Sequence, residues 1–234
     1  MRVAAFRPKG SLHPIVPALL GTCVLLVGTS VCAAQLVDQP AHQPGGVKAV
    51  ALTKYETLRT RVMGNDLTVD WNEFRQVAVD AGMESGFDWH PVRQRVLKDL
   101  DAGDTQAALS GAQTVIAHNM ANPEGHLLAM MVYQQLGLDA SANREHSIVD
   151  AIVKSIMASG DGLSAQRALS TVSSTEEEFV VNMVLDSDTE SQAVVHTAGA
   201  SFVRMTVRGE DGTEHVLWFR DGVQPIAVAA VVRP

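Results

Sequence analysis

The 234-residue chain has almost no cysteine, and its two, Cys23 and Cys32, both fall within the first 34 residues. Beyond that point it has no thiol nucleophile, no Cys-ligated zinc and no iron–sulfur centre to offer. The core must close without disulfides, which a chain of ~200 residues can do even in an oxidising compartment. Recognisable catalytic strings are missing too. There is no GxSxG elbow, no phosphate-binding glycine loop, no HExxH and no CxxC. Asp99, Asp101, Gly103 and Asp104 look superficially like a calcium loop, but the glycine falls one position early and Ser110 stands where the bidentate Glu belongs. These acids read instead as caps of a helix turn. A basic patch is also lacking, which argues against nucleic acid as a partner class.

The N-terminus reads as an export signal. Arg2, Arg7 and Lys9 form a basic start, an apolar run follows from about Ile15 to Val27, and small residues close it at Ser30–Ala34. That run is shorter than the ~20 residues a membrane-spanning helix needs, so an uncleaved anchor is less favoured. Lipid attachment at Cys23 or Cys32 is also less favoured, because neither follows the small Gly or Ala such a site expects. Cleavage after Ala34 removes three basic residues and leaves 15 basic against 26 acidic ones, a net charge of −11 in place of −8. The sequence therefore predicts a periplasmic or secreted, acidic mature protein without an integral membrane span. Residues 35–47, with Pro40, Pro44, Gly45 and Gly46, read as a flexible linker.

Residues 48–162 carry helical periodicity. A weak stripe from Ala49 to Met63 is followed by Asp70 and Glu73, spaced as a capping box before Phe74, Val77 and Ala78. Val92, Val96, Leu97 and Leu100 share one helix face, and Gly103 turns the chain into Ala107, Ala108, Ala112 and Val115. Asn122 and Pro123 open the next helix and Gly137 ends it. Ile148, Val149, Ile152, Val153, Ile156 and Met157 then make the clearest stripe of all. The turn glycines lie 34 residues apart, the tetratricopeptide period, yet barely two repeats are present where a free solenoid needs about three. Residues 163–234 must cap the stack.

Within that segment, Ser164 to Leu169 reads as a helical turn, and Ser174 with Glu177 as a capping box opening a helix through Val184. Strands are expected at Gln192–His196, Phe202–Val207 and His215–Phe219, with Gly209 to Gly212 as a hairpin turn and a final strand at Ile226–Val232. The predicted fold class is α+β: tetratricopeptide-like antiparallel helical hairpins, then a small antiparallel sheet.

Candidate site residues gather at the expected junction. His126 and His146 sit near the starts of two antiparallel helices, about one turn out of register, and Asp150 follows His146 by four residues. Such a pair, with an acid from the Asp161 or Glu177 region, has the composition of a metal or general-base site; it equally suits a self-satisfied polar cluster. Gly160 is placed to take a left-handed helix-terminating conformation, Asp161 with Gly162 to make a turn, and Glu176, Glu177 and Glu178 to face a helix dipole.

The series His146, Ile152, Ile156, Ser159, Gly160, Asp161, Gly162, Ala168, Glu177, Glu178, Phe179 resembles the bacterial domain-of-unknown-function 4919 family. The similarity extends upstream to Asp70, Phe74, Arg75 and His126, and downstream to Gln192, Phe202 and Trp218–Phe219. Departures are Phe179 for the family's Tyr, Val203 where an Asp often stands, and Arg220 for Asn. The resemblance implies an exported or envelope-associated protein with helical and β portions, and carries no activity. The leading expectation is a non-catalytic module, with no cofactor, that binds a protein or envelope component. The alternative is a metal-assisted hydrolase built on His126, His146 and nearby acids.

Overall fold

The computed structural model describes residues 44–197 and 199–221. The expected export signal, most of the expected linker and the expected strand Ile226–Val232 lie outside them. Six helices come first: α1 (Pro44–Met63), α2 (Trp71–Asp80), α3 (His90–Asp101), α4 (Thr105–His118), α5 (Pro123–Gln135) and α6 (Asp139–Met157). A 3₁₀ turn at Ala165–Arg167 leads into β1 (Leu169–Thr171), then α7 (Ser174–Phe179), a π-helical turn at Val180–Val184, β2 (Ser187–Thr197), β3 (Ala200–Gly209) and β4 (Glu214–Asp221). The α+β class is as expected. The described residues belong to one compact unit, within His42–Pro234.

Local chemistry explains the helix starts. Asp70, Asp104 and Asn122 each accept a backbone N–H two or three residues on, at 2.9–3.0 Å, satisfying donors that have no partner inside the helix. The α3–α4 and α5–α6 turns pass through Gly103 (φ +76°) and Gly137 (φ +67°), where a side chain would be strained. Gly111 and Gly125 have a different role. A Cβ on Gly111 would lie 2.5 Å from Val96, and one on Gly125 about 3.0 Å from Ile116, so each lets neighbouring helices approach.

Two main cores result. α3, α4 and α5 enclose Val96, Ala108, Ala112, Leu128 and Val132. The larger core joins Tyr55, Phe74, Ile148, Ile152 and Ile156 from the helices to Met205, Val207, Leu217 and Phe219 of the sheet. On the other sheet face, Phe202 packs with Ala165, Ala168 and Trp218, under the Arg220 guanidinium. The helices and the sheet thus share a core, and no domain boundary falls at residue 162.

Four expectations are corrected. The linker ends earlier than 47, because α1 already starts at Pro44. The sheet has order β1–β4–β3–β2 and is mixed, not antiparallel: β1 runs parallel to β4, pairing Leu169 with Phe219. Leu169 therefore belongs to a strand, and only Ala165–Arg167 is helical. The cap of α7 is Ser173, whose hydroxyl faces Glu176 N, and not Ser174.

Candidate functional site

Two buried clamps lie where the candidate site was expected, one beside the glutamate run and one at His126. The first centres on Arg75, which lies on the inner stripe of α2 with Trp71, Phe74 and Ala78 and is only 1 % exposed. Its Nε and Nη2 donate to the two oxygens of Glu176 at 2.8 Å, Nη1 to Ser155 Oγ at 3.0 Å, and Nη2 also to Ser170 O at 2.8 Å. Glu176 in turn accepts from Val172 N at 2.9 Å. One guanidinium thus ties α2 to α6, β1 and α7, in the bidentate geometry that makes such pairs strong. Glu177 is buried beside it, 3.3 Å from Thr171 Oγ1. Glu84 sits nearby, its carboxyl raised by burial and by the charge of Glu176, with a hydrogen bond from Asn119 working the other way. Glu178 points outward instead, 3.4 Å from His90.

The second clamp is His126. Its Nε2–H donates to Met120 O at 2.9 Å, and Nδ1 meets Glu145 Oε2 at 2.6 Å. Burial raises the Glu145 carboxyl, but the hydrogen bond and charge of His126, together with Arg144, outweigh this and hold it below its ordinary value. Both ring nitrogens are thus engaged within the protein, one by a carboxyl group and one by a backbone carbonyl. Tyr55 Oη accepts from Met120 N at 2.8 Å and Arg144 donates to Val62 O at 2.9 Å, so α1, α5 and α6 are stitched together.

His146 does not join His126. It is exposed, and the contact is made by its neighbour Glu145. Asp150 pairs with Lys154, not with His146. Among the described residues, no three His, Cys, Asp or Glu side chains are grouped to hold a metal ion.

The Ser159–Gly162 stretch does converge on the sheet. Ser159 Oγ accepts from Ser170 N at 2.7 Å, Asp161 N and Gly162 N both donate to Arg167 O, and Gly162 O accepts from Trp218 N of β4 at 2.8 Å. Asp161 also pairs with Arg167 at 2.7 Å. Gly160 is not the left-handed residue expected; Gly162 is, with φ +71°. Gly160 is required by space, since a Cβ there would stand 2.3 Å from Arg167 O. The stretch carries the end of α6 alongside β4.

Beside this stitch lies a groove of about 520 Å³ between the end of α6, the loop, the hairpin turn of β3–β4 and the start of β2. Its floor is apolar, with the buried Leu169, Val207 and Leu217, and the exposed Leu163 and Leu185 flank it. Its rim carries the carboxylates of Asp161, Asp186, Glu210 and Asp211, with His215 among them. Leu163 is 63 % exposed, unusual for a leucine beside a core. The groove was not legible in advance because its residues come from four separate stretches of chain. Arg75 and Glu145 did leave a signal: each is a charged residue on the buried stripe of its helix, Glu145 in line with Ala142, Ile148 and Ile152.

Comparison with known proteins returns no match: no family model, no curated protein and no solved structure matches the chain. No helix among the described residues is long and apolar enough to cross a membrane.

Proposed function

We propose that this is an exported, non-catalytic binding module of the bacterial envelope, of the domain-of-unknown-function 4919 type, whose groove takes a segment of a protein partner. The observation that carries the reading is the groove itself: an apolar floor within a carboxylate rim. Its volume lies in the range of binding clefts, and its chemistry suits an apolar side chain flanked by Lys or Arg. The hairpins of α3–α4 and α5–α6, with their 34-residue glycine period, support the tetratricopeptide-like part of the reading. His126, the centre of the alternative hydrolase, is fully engaged in holding helices together.

The test is a titration of the protein with short peptides that pair one Leu or Phe with two Lys, against peptides with Glu in place of Lys. Basic peptides should bind, more weakly as salt rises, and Asp186→Asn with Glu210→Gln should reduce affinity about tenfold, as losing two partly screened charges implies. Equal binding of basic and acidic peptides, or indifference to Leu163→Asp, would refute the reading.

A further inference from the structure

Of the sheet's two edge strands, β1 is short and covered, with Ser170 N and O bonded to Ser159 Oγ and Arg75, whereas β2 is open among the described residues. β2 bonds to β3 on one side only, and its other side is unpaired among the described residues. It is exposed along nearly all of its 11 residues, with only Ser187 and Val195 half-buried. A bulge interrupts the ladder between Thr189 and Ser191, and the residue within it, Glu190, is tied to Arg208. Beyond the bulge, Ser191 to Thr197 is a regular strand with no Asp, Glu, Lys, Arg or Pro. Exposed edges are normally blunted by charge, proline or cover, and this stretch has none of those. That neutrality stands out in a chain with 26 acidic residues.

We infer that this edge pairs with the same edge of a second copy, antiparallel, about a two-fold axis through Val194. The argument is charge and register. About that axis Val194 meets Val194, Ala193 meets Val195, Gln192 meets His196, and Ser191 meets Thr197. These are β-branched, small and hydrogen-bonding cross-strand pairs of the stabilising kind. Asp188 and Glu190 fall beyond the partner's Thr197, so no carboxylate faces another. Moving the axis to Gln192 sets Glu190 against Val194 and carries the bulge into the ladder. Moving it to His196 shortens the overlap to three residues. The two-fold axis makes the contact isologous and closed, giving an eight-stranded sheet from two four-stranded ones. Strand pairing of this length buries less than a standard interface, so the dimer is weak and depends on concentration. The inference does not rest on the groove, whose lining includes only Ser187 of β2.

The experiment uses the full-length chain with Cys23→Ser and Cys32→Ser, into which Val194→Cys or Gln192→Cys is introduced. In the Val194→Cys variant the two introduced thiols meet on the axis within disulfide reach, which requires Cα atoms within about 7 Å. In the Gln192→Cys variant they would be offset by four residues, about 14 Å along the strand. Mild oxidation at about 0.5 mM protein, where a weak pair is populated, should therefore accumulate the Val194→Cys dimer at least about tenfold faster than the Gln192→Cys dimer. In sedimentation, the chain without added cysteines should show concentration-dependent dimer and Val194→Lys should remain monomeric, because two lysines would meet on the axis. Val194 is 59 % exposed, so both substitutions at that position leave the fold intact, which circular dichroism checks. Equal crosslinking at 192 and 194, or monomer at all concentrations, overturns the proposal. Peptide binding in the groove should be unchanged in Val194→Lys, which separates failure of this edge from failure of the groove.

Discussion

The two buried clamps perform different tasks with similar parts. Arg75–Glu176 links residues 101 apart in sequence and joins the first helices to β1 and α7. His126–Glu145 links residues 19 apart and joins two consecutive helices that already pack through a short turn. The long-range pair closes a large loop and has no nearby contact of the same kind to replace it. The short-range pair reinforces a hairpin that local contacts would form anyway. Burying an ion pair does not itself guarantee stability; its value depends on what is left unpaired when it breaks.

The largest expected effect comes from breaking the long-range clamp. Glu176→Ala leaves the Arg75 guanidinium buried without its carboxylate and should cost about 3–5 kcal/mol. Urea denaturation measures the loss, and the double variant Arg75→Met with Glu176→Leu should recover most of it. If the single variant cost no more than a change at Glu145, the contrast between the clamps would be wrong.

Glu145→Gln keeps the shape of the short-range clamp but removes its charge, at about 1.5–3 kcal/mol near neutral pH. The Glu145 carboxyl is held below its ordinary value when folded. Its contribution is therefore complete above the unfolded value, near pH ~4.3, and is lost as pH falls through the folded one. Denaturation midpoints of Glu145→Gln measured down the acid range should fall less steeply than those of the natural chain. Glu84 provides the opposite sign. Its carboxyl is raised by burial, so the folded state gains stability when Glu84 is protonated and loses it as pH rises through the folded value. Glu84→Gln should remove that loss.

Gly160→Ala tests the stitch between α6 and the sheet. A methyl group 2.3 Å from Arg167 O must displace backbone, at a cost of roughly 1–3 kcal/mol and with a changed Trp218 near-ultraviolet signal. Leu163→Asp should have the smallest effect on stability, within about 0.5 kcal/mol, because its side chain is mostly in solvent. A large loss there would make Leu163 part of the fold and not of a binding surface.

Helices α2 to α6 and the turns between α3 and α4 and between α5 and α6 were legible in the sequence, because each depends on residues within four positions. The α7 cap and the left-handed glycine after α6, by contrast, were misplaced by one or two residues. Asp70, Asp104 and Asn122 cap the helices they precede, and Gly103 and Gly137 turn the hairpins where the periodicity stops. The stripe of Ile148, Ile152 and Ile156 is fully buried as its spacing requires. Tertiary structure decided the partners. Successive helix residues differ in direction by about 100°, so Glu145 faces His126 while His146, one position on, faces solvent. Arg75 meeting Glu176, β1 lying parallel to β4, and Gly160 being needed for space and not for its turn all arise from approaches between distant segments. No local spacing encodes those approaches; they are settled only when the helices and the sheet close over one core.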